Sequence, residues 1–173
     1  LAFISVSLAL SVLLFLSFDM EMGGYQFVEM REWIPQIGAS YNVGVDGLSM
    51  PFVILTPLLT TLAIIYSWDE DRRPREFFGL LLLLNASVLG VFISLDFFLF
   101  YIFWEVELVP MYFLIALWGG PNRKYAALKF FLYTQAASLL VLFGILALYW
   151  GAGANTFDMI EITALAPLLS GTF

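Results

Sequence analysis

Two carboxylates interrupt one of the most apolar stretches of this sequence. Glu105 and Glu107 are the only charged residues between Phe97 and Trp118. A carboxyl in an apolar medium is costly as an anion, about 2.5–3.5 kcal/mol on insertion scales at a bilayer centre. Such a group is kept neutral, is paired, or alternates between the two states and so carries protons. At about 100° per residue the two glutamates point some 200° apart on a helix, so they cannot share one cavity. One would face a polar interior; the other would face a different helix, a subunit contact or a second pocket. The competing reading for each is a carboxyl held protonated or paired for packing, and it weighs more heavily on Glu107. Pro110 favours Glu105 as the proton carrier. Proline cannot donate to the carbonyl four residues earlier, that of Val106, so a kink and a polar or hydrated spot are expected beside Glu105.

Lys129 is the other ionisable candidate, roughly 9 Å along a helix from Arg123. It reads either as a lysine snorkelling to an interface or as a relay partner of a carboxyl. Tyr125 and Tyr133 stand four residues to either side of it, and Thr134, Gln135 and Ser138 follow deeper in the same segment. Together these residues are expected to line a half-channel. Asn85 and Ser87 are weaker candidates, whose competing reading is simply that they join helices.

The elements that must position these groups are membrane helices. Of 173 residues, 62% are hydrophobic and only 12% are charged, against roughly 25% charged in soluble domains. With no Cys and no His, disulfides, zinc sites, thiol nucleophiles and the usual haem and iron–sulfur ligands are excluded. No Asp-rich calcium-type loop is visible, so no metal site is expected. The formal charge of -7 argues against a nucleic-acid partner. Uncharged stretches of about 17–25 residues can cross the bilayer. The sequence therefore predicts an all-α integral membrane protein with five spans near 1–18, 50–67, 77–94, 97–118 and 124–150. The whole of 1–173 reads as one membrane domain, with outer loops at 19–49 and 151–173.

Five of the seven basic residues fall in two loops on one side, as Arg72, Arg73, Arg75, Arg123 and Lys124. That side is expected to be cytoplasmic, or its organellar equivalent. The opposite loops are acidic, holding Asp96 and Asp158 among others. Trp68, Trp118 and Trp150 mark span ends. Tyr25-Gln26-Phe27 and Tyr41-Asn42-Val43-Gly44-Val45, around Pro35 and Gly38, predict a short hairpin on the outer face. Ser49 ahead of Met50-Pro51 reads as a helix N-cap, and 156–169 as an amphipathic surface helix. The chain opens inside an apolar run without Met or a basic leader, and reads as a piece of something longer.

The stretch Phe103-Trp104-Glu105-Val106-Glu107-Leu108-Val109-Pro110-Met111-Tyr112 is followed by Leu117-Trp118-Gly119-Gly120. Then comes Tyr125-Ala126-Ala127-Leu128-Lys129-Phe130-Phe131-Leu132-Tyr133-Thr134. With Asn42-Val43-Gly44-Val45-Asp46-Gly47-Leu48-Ser49-Met50 upstream, this resembles the chain 4, or subunit M, family of proton-pumping NADH:quinone oxidoreductases and their photosynthetic and archaeal relatives. The resemblance runs along most of the chain. It implies an antiporter-like fourteen-helix subunit built on inverted five-helix repeats, of which this chain covers about the second to sixth helices. By resemblance Glu105 is the carboxyl essential for pumping, and its lysine partner lies on the next helix, beyond Phe173. Glu107 departs from many members, which carry an apolar residue there, and a Glu-x-Glu pair is similar to photosynthetic relatives. Lys129 fits the family pattern without an assigned role.

Three functions follow for testing. The first is proton translocation within a respiratory or photosynthetic quinone-reducing complex in an energy-transducing membrane, the prokaryotic plasma membrane or the thylakoid. There, other membrane and peripheral subunits would hold the NADH (or other donor), flavin, iron–sulfur and quinone sites. The second is a multi-subunit sodium/proton antiporter. The third is a membrane scaffold, in which Glu105 would tolerate Gln.

Overall fold

The computed structural model describes residues 1–153 and 155–169. Its elements, in chain order, are α1 (Ala2–Leu16), β1 (Gln26–Ile34), a single 3-10 turn (Pro35–Ile37), β2 (Ala39–Val45), α2 (Ser49–Tyr66), α3 (Pro74–Ile93), α4 (Phe97–Trp118), α5 (Arg123–Ala152) and α6 (Met159–Leu169). Four helices, α2 to α5, are long and apolar enough to cross a membrane. The expected first span is shorter than the other four: α1 has 15 residues, about 22 Å at 1.5 Å per residue, against about 30 Å of hydrocarbon. Consecutive helices pack on one another from α1 to α5. The α3–α4 contact is close because Gly90 has no side chain; a β-carbon there would run into the Phe103 ring.

The expected hairpin is present. Strands β1 and β2 pair antiparallel, and the turn between them ends on Gly38 in the left-handed region, at φ 68°. A β-carbon on Gly38 would also strike the carbonyl of Asn155, so glycine is required there twice over. A tail helix is present as α6, beginning at Met159 rather than at Thr156.

One local expectation is corrected. Ser49 does not cap α2, whose N-cap residue is Leu48 without a side-chain cap of its own. Asp46 Oδ1 instead accepts the backbone N–H groups of Leu48 and Ser49, at 3.1 and 2.7 Å. The Asp46 N–H in turn donates to Ser49 Oγ at 3.0 Å. The carboxylate wins because it sits three residues upstream and meets two of the free helix-end donors at once.

The hairpin is locked to the helices by buried polar contacts. Leu95 N–H donates to the Asn42 carbonyl, Phe157 N–H to Gly38, Phe97 N–H to Phe157, and Met159 N–H to Leu95, at 2.9 to 3.2 Å. Around these backbone links pack Ala39, Ile145 and Phe157, with Phe97, Phe98 and Tyr149 against them. At the opposite end, Trp118 Nε1–H donates to the Arg72 carbonyl at 2.8 Å and Arg72 Nη2 donates to the Leu117 carbonyl at 2.9 Å. That exchange ties the α2–α3 loop to the end of α4.

Candidate functional site

Helix α4 is anchored at its start. Asp96 is fully buried and its Oδ1 accepts the N–H groups of Phe98 and Leu99, at 2.9 and 3.0 Å. Its Oδ2 accepts Ser40 N–H and Ser40 Oγ–H, at 2.9 and 3.0 Å. Asp158 does the same for α6: Oδ1 takes the N–H groups of Ile160 and Glu161, and Oδ2 takes the Asn42 amide at 2.7 Å. The sequence reads both aspartates only as acidic loop residues. In the fold they are buried helix caps joined to β2. An Asp directly before an expected helix is a local cap signal, but the tie to β2 had none, because Ser40 lies 56 residues from Asp96.

Nine residues beyond Asp96, about 13.5 Å up the helix, Glu105 reaches α5. Ser138 Oγ hydrogen-bonds Glu105 Oε1, and the same Oγ lies 3.4 Å from the Tyr101 hydroxyl. Tyr101 and Glu105 are one turn apart on one face of α4, the spacing at which side chains meet. Ser138 is 1% exposed. It lies in a stripe of α5 that includes Ala127, Phe131, Thr134, Leu142, Ile145 and Tyr149, spaced three and four residues apart and turned to α4. Carboxyl, serine hydroxyl and phenol thus form one polar group between two apolar helices.

The expected half-channel divides. Thr134 and Gln135 are half-buried near Ser138. Lys129 is nine residues from Ser138, two and a half turns, and so lies on the opposite face of α5. Its ammonium sits 5.9 Å from the ring centres of Tyr125 and of Tyr133, which are 69% and 71% exposed. The fold therefore does not bring Lys129 to Glu105. Glu107 is half-buried, and no hydrogen bond to it is made among the described residues. Pro110 is buried within α4, which continues helical through it to Trp118. Asn85 Nδ2 lies 3.5 Å from Ser7 Oγ, linking α3 to α1, and Ser87 bonds back to the Leu83 carbonyl at 2.8 Å.

Tyr101 is the member that sequence reasoning missed. A hydroxyl four residues before a membrane-level carboxyl was the available signal. Ser138 stood out as a polar residue, but its pairing with Glu105 needed the packing of α5 on α4.

This site lies within residues 94–171, which match the family model described as "NADH:quinone oxidoreductase/Mrp antiporter, TM". The F(420)H(2) dehydrogenase subunit M of Methanosarcina mazei is 45% identical over 163 residues, covering 91% of this chain and 33% of that protein. Residues 94–171 of the chain belong to the NADH:quinone oxidoreductase/Mrp antiporter membrane family. An NAD(P)H-quinone oxidoreductase chain 4 of a Nostoc species is 50% identical over 142 residues, covering 82% of this chain and 26% of that one. In structure, the family fold recurs in respiratory complex I from Thermus thermophilus with bound NADH. The TM-score is 0.83 at 31% identity, over 93% of this chain and 33% of that chain. The Mrp complex of a Dietzia species shares the fold alone, with a TM-score of 0.75 at 22% identity, over 96% of this chain and 19% of that one. The chain spans about a third or less of the length of these relatives. Over that length it has the fold of an antiporter-like membrane subunit of complex I.

Proposed function

We propose that this chain carries a proton-loading carboxyl, Glu105, of a proton-translocating membrane subunit in a quinone-reducing complex. The observation that carries the reading is a carboxyl midway along a membrane helix whose hydrogen bond comes from one hydroxyl on the next helix. Among the described residues no cation is paired with it. Such a carboxyl can change protonation state as its surroundings change. The redox chemistry would belong to partner subunits holding flavin, iron–sulfur clusters and quinone. Relatives are named for different donors, F(420)H(2) and NAD(P)H, which fits a donor site outside this chain. Lys129, on the outward face of α5, would take part in a relay only through further helices packed on that face. Glu107, turned away from Ser138, is the weaker proton carrier, and Pro110 would favour a hydrated spot near the Val106 carbonyl.

A sodium/proton antiporter subunit is the second reading, favoured by the shared fold with the Mrp complex. The 45–50% identities to dehydrogenase and quinone oxidoreductase subunits favour the first.

The deciding experiment is Glu105→Gln in the intact complex, with assembly checked on native gels. Gln keeps size and hydrogen bonding but cannot load a proton. An assembled variant that pumps at the normal proton-to-electron ratio overturns the proposal. For orientation, we propose that the loop with Arg72, Arg73 and Arg75 faces the cytoplasm and the hairpin faces the other side of the energy-transducing membrane. Single cysteines at Asp71 and Gly24 should then react with an impermeant thiol reagent from opposite sides; labelling of both from one side would reverse that topology.

A further inference from the structure

We infer that Ser138 is the positioning residue of Glu105, a hydroxyl rotor that fits both protonation states of the carboxyl, with Tyr101 as the group to which it turns. The inference rests on the reading of Glu105 as a titrating carboxyl. It begins from what a hydroxyl can do that an N–H cannot. A serine Oγ has one proton to give and two lone pairs to accept with, and its proton rotates freely to suit its neighbours. Ser138 Oγ lies against Glu105 Oε1 and 3.4 Å from Tyr101 Oη, and at 1% exposure it has no bulk water to fall back on.

Two hydrogen-bond patterns satisfy this group. With Glu105 ionised, Ser138 donates to the carboxylate and accepts from the Tyr101 hydroxyl. With Glu105 protonated, the carboxyl O–H donates to Ser138 Oγ, and the serine proton swings round to the Tyr101 oxygen. No covalent bond other than the Glu105 O–H is made or broken, and the Ser138 hydroxyl keeps one donated and one accepted hydrogen bond in either state. Each unsatisfied buried group would otherwise oppose one protonation state. Asp96 shows the contrast: its four contacts are all donors, which suit the anion alone.

The titratable and charged groups on the packed elements do not substitute for Ser138. On α4, Glu107 points about 200° away from Glu105. On α5, Lys129 and its two tyrosines occupy the face opposite Ser138. On α3 the nearest charged residue is Glu76, in the first turn, toward the Arg72–Trp118 end rather than at the level of Glu105.

The test uses the intact complex and two readouts, proton pumping per electron and the carboxyl C=O stretch of Glu105 in redox-difference infrared spectra. Glu105→Gln assigns that band by removing it. Ser138→Ala deletes one oxygen atom and leaves the packing, so the complex should assemble. Its pumping should fall on the order of tenfold, as expected when a hydrogen bond to a charged group is lost. The Glu105 band should move to higher wavenumber, because its protonated carboxyl loses the oxygen that accepts its O–H. Ser138→Thr, which retains a rotor, should restore both. Tyr101→Phe should move the band in the same direction by less. A Ser138→Ala complex with an unmoved Glu105 band or normal pumping overturns the inference while leaving the role of Glu105 intact. A Glu105→Gln complex that pumps normally, or that loses no carboxyl band, overturns the reading of Glu105 and this inference with it.

Discussion

Asp96 and Glu105 stand on the same helix, nine residues apart, and their surroundings are opposite in kind. Asp96 is held by two backbone donors of α4 and two donors of Ser40, at a helix N-terminus whose dipole also favours an anion. All four partners are donors, and with them the carboxyl group clamps β2 to α4. Glu105 is hydrogen-bonded by Ser138, a side chain able to give or receive. Asp96 is the more deeply buried of the two, yet it is Glu105 that we propose as the proton carrier. Burial depth does not separate the clamp from the proposed carrier; the chemistry of their partners does.

The comparison breaks most readily at its extremes. Glu105→Gln should abolish proton pumping, at least a hundredfold loss, while native gels show normal assembly. Asp96→Ala should act the other way round. It strips four donors of their acceptor, and the loss of the cap alone costs about 0.5–2 kcal/mol, with about 1–3 kcal/mol more for each donor left dry. Poor assembly and a lowered melting temperature are expected, and whatever complex does form should pump at a normal ratio. Should assembled Asp96→Asn lose pumping as completely as Glu105→Gln, the division between clamp and carrier fails. Asp158→Ala should destabilise less than Asp96→Ala, because it releases three donors rather than four. Glu107→Gln should reduce pumping mildly in an assembled complex; a greater loss than in Glu105→Gln would move the carrier to the other face of α4. The smallest effect belongs to Trp118→Phe. It removes one exposed hydrogen bond to the Arg72 carbonyl, about 1 kcal/mol or less, visible only as a slight fall in thermal stability.

Much of the fold was legible in the residues because the bilayer allows few choices. Uncharged runs of span length become helices, since no other open backbone satisfies itself in lipid. The hairpin announced itself through Pro35 and Gly38 between alternating strands. The candidate site was legible in part. Glu105 stood out by its cost, whereas Lys129 drew attention by charge and then fell on the opposite face of α5. The expected polar line from Lys129 to Ser138 ignored the half-turn between them, a consequence of 3.6-residue periodicity over nine positions. Ser49 was read as a cap for its type alone, when the carboxylate of Asp46 offered the stronger acceptor to the same helix end.

What the sequence by itself determined was the solvent, the helices that cross it, and the single carboxyl face worth following. Those follow from hydropathy and periodicity, which are properties of neighbours along the chain. Only the tertiary structure decided that Ser138 and Tyr101 complete the Glu105 site, that Lys129 does not, and that Asp96 and Asp158 are clamps. A hydrogen bond forms between groups at about 3 Å whatever their separation in sequence. Thirty-three residues divide Glu105 from Ser138, and only the packing of α5 against α4 closes that gap.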